Sequence, residues 1–261
     1  MISIGITERG DAALTKEWHS WVYKNHQPAI LITKDPRKLI KENRKLFFGE
    51  VQGNVILHAT ITGLGGTPIE PGVTDYKEQI SYLADCLQNP DFHRERLVIR
   101  QDPLIPFFIQ DPEYQGAVIK IAKFARDNGL RYRISFLDYY NHVKDRFTAI
   151  KEQHPMWAAC IDNQNKYQTD LHVKLPLRES FLQSLINLGI PESTIEICGE
   201  PGMKCTGCIS QRDLDIFGIS VTETLPKNMQ RPACACLGVK YELLNNKHPC
   251  TPHNCAYCYW K

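Results

Sequence analysis

The sequence predicts an α/β fold, a partial (β/α)6 TIM-like barrel that carries a cysteine-rich C-terminal metal-binding extension. Three observations support this: short apolar runs rich in β-branched residues, helical patterns between them, and cysteines concentrated near the end of the chain. Such runs are typical of parallel strands that are buried on both faces, and the intervening helices supply the crossover connections. The six predicted strands are 2–6, 29–33, 55–62, 97–100, 132–137 and 194–198.

Apolar residues recur at three- and four-residue spacing in four segments between the predicted strands, which indicates amphipathic helices. The four segments are 13–25, 75–87, 116–128 and 178–188. Gly129 and Gly189 follow the last two segments, where a glycine is expected to end a helix. The region 147–176 does not fit the alternation and is predicted to be an insertion or an extra edge element.

Composition and charge narrow the class of protein. Of the 261 residues, 43% are hydrophobic and 23% charged, which excludes a wholly disordered chain. The net charge of +2 is too small to indicate a nucleic-acid surface by itself. No apolar run approaches the ~20 residues of a membrane helix, and the first residues do not resemble a signal peptide. We therefore expect a cytoplasmic protein with no membrane partner.

The character of the chain changes near residue 199. Eight of the ten cysteines lie between residues 198 and 258, and this region has little periodicity. We predict a barrel domain over 1–198 and an iron–sulfur extension over 199–261, packed on the barrel mouth. Disulfides belong to exported proteins, so clustered thiols in a cytoplasmic chain indicate metal binding.

Two kinds of metal site suit these thiols. Cys205 and Cys208 with Cys255 and Cys258 would form a two-knuckle structural zinc site. An iron–sulfur cubane can instead bind through three thiolates and leave one iron open. The C-x-C pair at 234–236 is uncommon in zinc knuckles, and Cys250 is left over from the zinc set. These features favour the cluster, although both sites remain possible on spacing alone.

Polar residues at the ends of the predicted strands are candidate site residues, because (β/α) barrels place their chemistry at the carboxyl ends of their strands. The candidates, in chain order, are Thr33, Lys34, Thr60, Thr62, Gly63, Glu70, Arg100, Asp102, Ser135, Asp138, Tyr139, Tyr140, Cys198, Gly199 and Glu200. Each also has an ordinary structural role open to it, such as a turn or an ion pair.

The end of the chain carries a recognisable motif. Cys250, Cys255, Cys258 and the tyrosines around Cys258 resemble the C-x3-C-x-Tyr-Cys-Tyr signature of radical S-adenosylmethionine (radical SAM) proteins, with four residues in place of three in the first gap. The likeness is greatest to spore photoproduct lyase and DNA repair photolyase-like proteins. The whole chain resembles a bacterial radical-SAM-like family of unknown function with a C-terminal cysteine cluster, through segments 32–36, 59–63, 69–71, 98–103, 134–140, 198–200, 207–209 and 234–236.

The resemblance implies a radical SAM enzyme of the isomerase or lyase type. Cys250, Cys255 and Cys258 would hold a 4Fe-4S cluster that binds S-adenosyl-L-methionine and, once reduced by a flavodoxin- or ferredoxin-like protein, generates a 5′-deoxyadenosyl radical. The implied substrate is a modified thymine or nucleotide that is rearranged or isomerised, as in bacteriophage DNA thymidine hypermodification. Gly199 and Glu200 resemble the Gly-Gly-Glu-Pro element that contacts the SAM amino group.

The remaining candidates would take supporting roles under the same resemblance. Thr62, Gly63 and Glu70 compete with Glu200 for the SAM contact. Arg100 would bind a carboxylate or phosphate, Asp102 or Asp138 a hydroxyl or amine, and Tyr140 would stack on a base or shield a radical. Apart from the resemblance, the remaining thiols Cys198, Cys208, Cys234 and Cys236 would suffice for an auxiliary 4Fe-4S cluster, with Cys205 as a substitute, or for a zinc site that only folds the end of the chain. The alternatives are a zinc-stabilised nucleic-acid-binding barrel and an iron–sulfur electron-transfer protein.

Overall fold

A computed structural model describes residues 3–49, 54–220, 233–237, 240–244, 250 and 253–259. Its centre is a seven-stranded parallel sheet, curled into a half-barrel, with the strand order β8-β5-β4-β3-β2-β1-β9. The sheet strands are β1 (Ile4–Ile6), β2 (Ala29–Thr33), β3 (Val55–Thr60), β4 (Leu97–Leu104), β5 (Arg131–Phe136), β8 (Ile195–Ile197) and β9 (Lys240–Glu242). A separate antiparallel pair consists of β6 (Gln168–Thr169) and β7 (His172–Val173).

Helices fill the connections between the strands, as parallel pairing requires. They are α1 (Pro36–Glu42), α2 (Tyr76–Gln88), α3 (Pro112–Asp127), α4 (Asn141–Gln153), α5 (Ala158–Tyr167), α6 (Leu175–Asn187) and α7 (Gln211–Ile216). Asp75 and Asp111 cap α2 and α3 by accepting hydrogen bonds from backbone N–H groups of the first turn. Among the described residues, no helix is both long enough and apolar enough to cross a membrane.

All six predicted strands are present, but the sheet contains a seventh strand that the sequence did not predict. This strand, β9, lies in the cysteine-rich segment and pairs in parallel with β1 at the edge of the sheet. Leu243 follows β9 and packs onto Gly5, where a Cβ atom would lie 2.6 Å from the leucine side chain. Part of the predicted extension therefore completes the sheet.

One helix prediction requires correction. Residues 13–25 do not form an α-helix: Ala13, Trp18 and Val22 are buried there, but the backbone follows turns and a π-helical stretch at Ser20–Lys24. Asp11 accepts a hydrogen bond from the backbone of Ala13, and the buried Trp18 indole donates to the Ala12 carbonyl, which holds this non-helical path.

The region 147–176, predicted to be an insertion or an extra edge element, contains the end of α4, all of α5 and the β6–β7 pair.

The two faces of the sheet bury different residues. Alternate side chains such as Leu31, Leu57 and Ile99 pack outward against the helices in the larger core. A smaller core lies on the concave face. It consists of the intervening strand side chains, such as Ile30, Ile56 and Val98, together with the loop cysteines Cys208 and Cys236. The carboxyl ends of the strands, and with them the candidate site residues, lie at one rim of this half-barrel.

Candidate active site

A cavity of about 610 Å³ opens at the carboxyl ends of β1 to β4. Its wall includes the loop after β1, the ends of three further strands, the start of α4 and the terminal segment, which we define as Cys250 and residues 253–259. The lining residues are Glu8, Arg9, Gly10, Asp11, Ile32, Thr33, Lys34, Thr60, Arg100, Asp102, Pro103, Tyr140, His142, Cys250, His253, Cys255, Tyr257, Cys258 and Tyr259.

The terminal segment folds back over this rim, so that Cys250, Cys255 and Cys258 all line the cavity. The backbone N–H of Ala256 donates to the Ile69 carbonyl at 2.9 Å. From the opposite side, Arg146 on α4 donates to the carbonyls of Ala256 and Cys258. The cysteine-bearing loop is thus held by backbone contacts from two sides.

Glu70 is a buried anchor beneath the terminal segment. Its carboxylate accepts hydrogen bonds from Thr62 Oγ1 at 2.5 Å, from Lys34 Nζ at 2.7 Å and from the Tyr257 hydroxyl. Gly63 lies beside it with a φ of +88°, close against Ala117 of α3. Thr62, Gly63 and Glu70 do not line the cavity among the described residues. Thr62 and Glu70 support the cysteine loop from below, through the hydrogen bond between Glu70 and Tyr257.

A second anchor joins the terminal segment to the loop after β1. His253 Nε2 lies 3.0 Å from Asp11 Oδ2, and the same carboxylate accepts from the Thr33 hydroxyl and the Lys34 backbone. Burial opposes charge on His253, but the hydrogen bond and charge of Asp11 outweigh it and raise the histidine pKa above its ordinary value. Burial would likewise raise the Asp11 pKa, yet His253 lowers it on balance. The two groups therefore favour an ion pair.

Arg100 and Asp102, predicted as catalytic residues, lie together on the cavity wall and form an ion pair. Arg100 pairs in register with Thr60 of β3, which also lines the cavity. Tyr140 lies across from them, with its ring 5.4 Å from that of Tyr259 in an edge-to-face contact. Three of the four predicted catalytic residues are thus gathered at one cavity.

The other predicted residues lie elsewhere. Asp138 is buried and contacts His172 at 2.8 Å, away from the cavity lining. Glu200 is buried behind β5, where it accepts from the Phe136 backbone N–H at 2.7 Å and from Arg178 at 2.9 Å. Burial raises the pKa of Glu200 to about 7, against the opposing effect of these two donors. Gly199 precedes it with a φ of +66°.

Comparison with known proteins gives a family. Residues 19–260 match the model of a family described as Domain of unknown function (DUF1848). The chain belongs to this family. A search of curated proteins and a search of solved structures each found no match to the chain.

The three terminal cysteines of this DUF1848 chain have the donor chemistry of an iron–sulfur site. Burial raises the pKa of Cys255 to about 12, partly offset by Lys34, and the neighbouring Cys258 and Cys250 add to the rise. A metal centre would displace these thiol protons. Within the described ranges, no three His, Cys, Asp or Glu side chains are placed to hold a metal ion. A four-iron cluster binds each cysteine through a different iron, so its ligands stand farther apart than those of one ion.

The second set of cysteines lies on the concave face of the same DUF1848 half-barrel. Cys198 Sγ and Cys208 Sγ are 3.3 Å apart, and Cys236 Sγ accepts from the Cys208 backbone N–H at 3.1 Å. Cys234 packs against the same core. Cys205 points elsewhere, because its thiol exchanges hydrogen bonds with the backbone of Glu200. The two-knuckle zinc set is therefore not assembled among the described residues.

Several cavity residues of this DUF1848 protein were not among the predicted site residues. They are Glu8, Arg9 and Asp11, which follow β1, and His253 of the terminal segment. Lys34, a candidate by the strand-end rule, also lines the cavity. The rule that selects polar residues at strand ends would have found the β1 loop had it been applied to the first strand. The role of His253 required knowing that the terminal segment meets that loop.

Proposed function

We propose that this protein is a radical SAM enzyme whose 4Fe-4S cluster is bound by Cys250, Cys255 and Cys258. The observation that carries the proposal is that all three thiols line one cavity at the carboxyl ends of the strands, where (β/α) barrels place their chemistry. The resemblance of the cysteine spacing to the radical SAM signature is the second support. When bound, the cluster and S-adenosylmethionine supply a 5′-deoxyadenosyl radical that abstracts a substrate hydrogen.

The chain's own residues would position the reactants and limit the access of water. Arg100 presents a guanidinium that can bind a carboxylate or phosphate through two parallel hydrogen bonds, and Asp102 beside it can accept from a hydroxyl or amine. The rings of Tyr140 and Tyr259 offer an aromatic wall. Seating of the terminal segment on Glu70 and Asp11 would close the rim around the reacting groups.

The residues predicted to contact S-adenosylmethionine would have to move in order to reach it from the cavity wall. Glu200, Gly199, Thr62, Gly63 and Glu70 lie behind the cavity wall rather than on it. A direct contact from Glu200 would need it to leave Arg178 and the Phe136 backbone. These residues stay predictions as cofactor ligands, and their present contacts support the wall and the cysteine loop.

The proposed reaction is the rearrangement or isomerisation of a modified thymine or nucleotide, with a flavodoxin- or ferredoxin-like reductant. The support for a nucleotide is that one cavity is lined both by an arginine that can bind phosphate and by aromatic rings that can stack on a base. Hypermodified thymidine of bacteriophage DNA is the most specific substrate consistent with the resemblance to the photoproduct lyase group.

Anaerobic purification followed by metal analysis and a SAM cleavage assay tests this function. We expect about four or eight irons per chain with a broad visible shoulder, and release of 5′-deoxyadenosine on addition of S-adenosylmethionine and dithionite. Cys255→Ala and Cys258→Ala should each abolish that release, whereas Cys160→Ala, on α5, should retain it.

Other outcomes point to other functions. A colourless protein with stoichiometric zinc would indicate the zinc-stabilised nucleic-acid-binding barrel. Iron with no release of 5′-deoxyadenosine would indicate an electron-transfer protein. Full cleavage activity in the Cys258→Ala variant would refute the assignment of the ligands.

A further inference from the structure

Four cysteines converge inside the half-barrel, and we define them as the inner thiol set: Cys198, Cys208, Cys234 and Cys236. They come from three separate parts of the chain: the end of β8, the 207–209 loop and the segment before β9. Cys208 and Cys236 are buried, and the two partly buried members pack against the same concave-face core. This set is distinct from the terminal cysteines that line the cavity.

The backbone is shaped to bring these segments together. Gly207 lies so close to the second segment that a Cβ atom there would be 2.4 Å from Cys236 Cα. Next to it, the Cys208 N–H donates to Cys236 Sγ, and the Leu237 N–H donates to the Ile209 carbonyl at 3.1 Å. A glycine is required for this approach, because any other side chain would separate the two cysteines.

Three ion-paired cations lie beside the inner thiol set. Arg100, Arg133 and Lys240 are near enough to interact electrostatically with its thiols. Each is also paired with a carboxylate, that of Asp102, Glu196 and Glu8 respectively. These cations belong to β4, β5 and β9, so they reach the set from both the middle and the edge of the sheet. Cationic neighbours stabilise thiolates, which are the form of cysteine that binds metal.

We propose that the inner thiol set binds a thiophilic metal centre, either a zinc ion or an iron–sulfur cluster. The inference does not depend on the proposed function of the terminal cysteines. On binding, each coordinating thiol releases its proton to solvent and donates a thiolate lone pair to the metal, with no change of oxidation state required at sulfur.

Among the described residues no three His, Cys, Asp or Glu side chains are placed to hold a metal ion, so the inner thiol set has to rearrange on binding. Two thiolates on a tetrahedral ion with metal–sulfur bonds of about 2.3 Å lie about 3.8 Å apart. Cys198 Sγ and Cys208 Sγ are closer, at 3.3 Å, as in a hydrogen bond between the two side chains. A zinc ion would need this pair to separate by about 0.5 Å, and a cluster would need more.

The test removes the terminal site and asks whether metal remains. The full-length Cys250→Ser/Cys255→Ser/Cys258→Ser variant is purified anaerobically and analysed for zinc, iron and visible absorption. We expect it to retain about one zinc or about four irons per chain. Adding Cys208→Ser should remove that metal, and adding Cys160→Ser, a thiol outside the set, should not. The identity of the metal distinguishes zinc from an iron–sulfur cluster.

A second measurement applies if the Cys208→Ser variant does not fold. The metal-stripped triple variant is titrated with Co²⁺, and thiolate-to-cobalt absorption should appear and should be lost on adding Cys198→Ser. A folded triple variant that retains no zinc or iron and develops no cobalt absorption overturns the inference. That result leaves the proposed function untouched if the wild-type protein still releases 5′-deoxyadenosine.

Discussion

Glu200 is a carboxyl group that the fold keeps only 3% exposed. Burial raises its pKa to about 7 from an ordinary value of 4.5, although the Phe136 N–H and Arg178 oppose the rise. Because the folded state binds this proton more tightly, the stability it contributes is complete below pH 4.5 and is lost as the pH rises through 7. A tenfold difference in proton affinity between the folded and unfolded states corresponds to about 1.4 kcal/mol, so the rise from 4.5 to about 7 corresponds to a loss of about 3 kcal/mol.

Glu200→Gln should remove this pH dependence while keeping an acceptor for the Phe136 N–H. We expect the free energy of unfolding of the wild type to fall more steeply than that of the variant between pH 5 and pH 8, as measured by urea denaturation. Glu192→Gln, at an exposed position, should follow the wild type. Parallel curves for wild type and Glu200→Gln would show that Glu200 titrates normally.

The sequence pointed to several residues that the structure gathers at one cavity. Arg100, Asp102 and Tyr140 were selected by their positions at strand ends, and the terminal thiols by their spacing. Their roles in binding and catalysis stay predictions. Neither strand position nor cysteine spacing indicated that Glu70 supports the terminal segment. That support depends on Tyr257, which is 187 positions away in the chain, and no local pattern records such a contact.

At the scale of elements, the terminal segment depends on a few polar contacts rather than on secondary structure. The Tyr257 hydroxyl contacts both Glu70 and Lys34 in a buried position. Tyr257→Phe removes these bonds with little change of shape, so we expect a loss of about 1–2 kcal/mol in the free energy of unfolding. The terminal segment should also become more sensitive to protease.

Urea denaturation and limited proteolysis measure the two effects. Tyr241→Phe is the matched control, because Tyr241 is 49% exposed and contacts Trp21 through its ring. Its variant should change stability by less than about 0.5 kcal/mol. Equal behaviour of the two variants would mean that the Tyr257 hydroxyl does not hold the segment.

The strand β9 was not predicted because its sequence has no hydrophobic periodicity. It has three residues, Lys240–Glu242, with no apolar run of its own. Its place at the edge of the sheet comes from pairing with β1 and from Leu243 packing on Gly5. The β-branched strands were predictable because burial on both faces dictates their composition.

At the scale of the whole molecule, a buried ion network joins α7 to the concave face of the sheet. Asp213 of α7 accepts from Arg131 Nη1 at 2.7 Å and lies 3.8 Å from Arg133, while Glu196 of β8 pairs with both arginines. The guanidinium groups lower the Asp213 pKa even though burial would raise it. Removing one charge leaves a guanidinium buried and partly unpaired.

Asp213→Asn should therefore destabilise the protein by about 3 kcal/mol or more at neutral pH, as measured by urea denaturation. Asp215→Asn, two residues further along the same helix and exposed, should cost less than about 0.5 kcal/mol. A small effect at Asp213 would indicate that α7 is held by its apolar contacts instead.

The fold class was predictable because strand–helix alternation restricts a chain of this length to few architectures. The return of the terminal segment to the barrel rim was not predictable in the same way, because it depends on contacts between the two ends of the chain, such as His253 with Asp11. The proposed function depends on that long-range contact more than on any local motif.

Electron paramagnetic resonance of the dithionite-reduced protein, recorded with and without S-adenosylmethionine, tests the central claim most directly. If Cys250, Cys255 and Cys258 leave one iron of a cluster open to the cavity, the signal should change on addition of S-adenosylmethionine, and the change should disappear in Cys255→Ala. A reduced-cluster signal that is identical with and without S-adenosylmethionine, or the absence of any such signal in iron-reconstituted protein, would contradict the account.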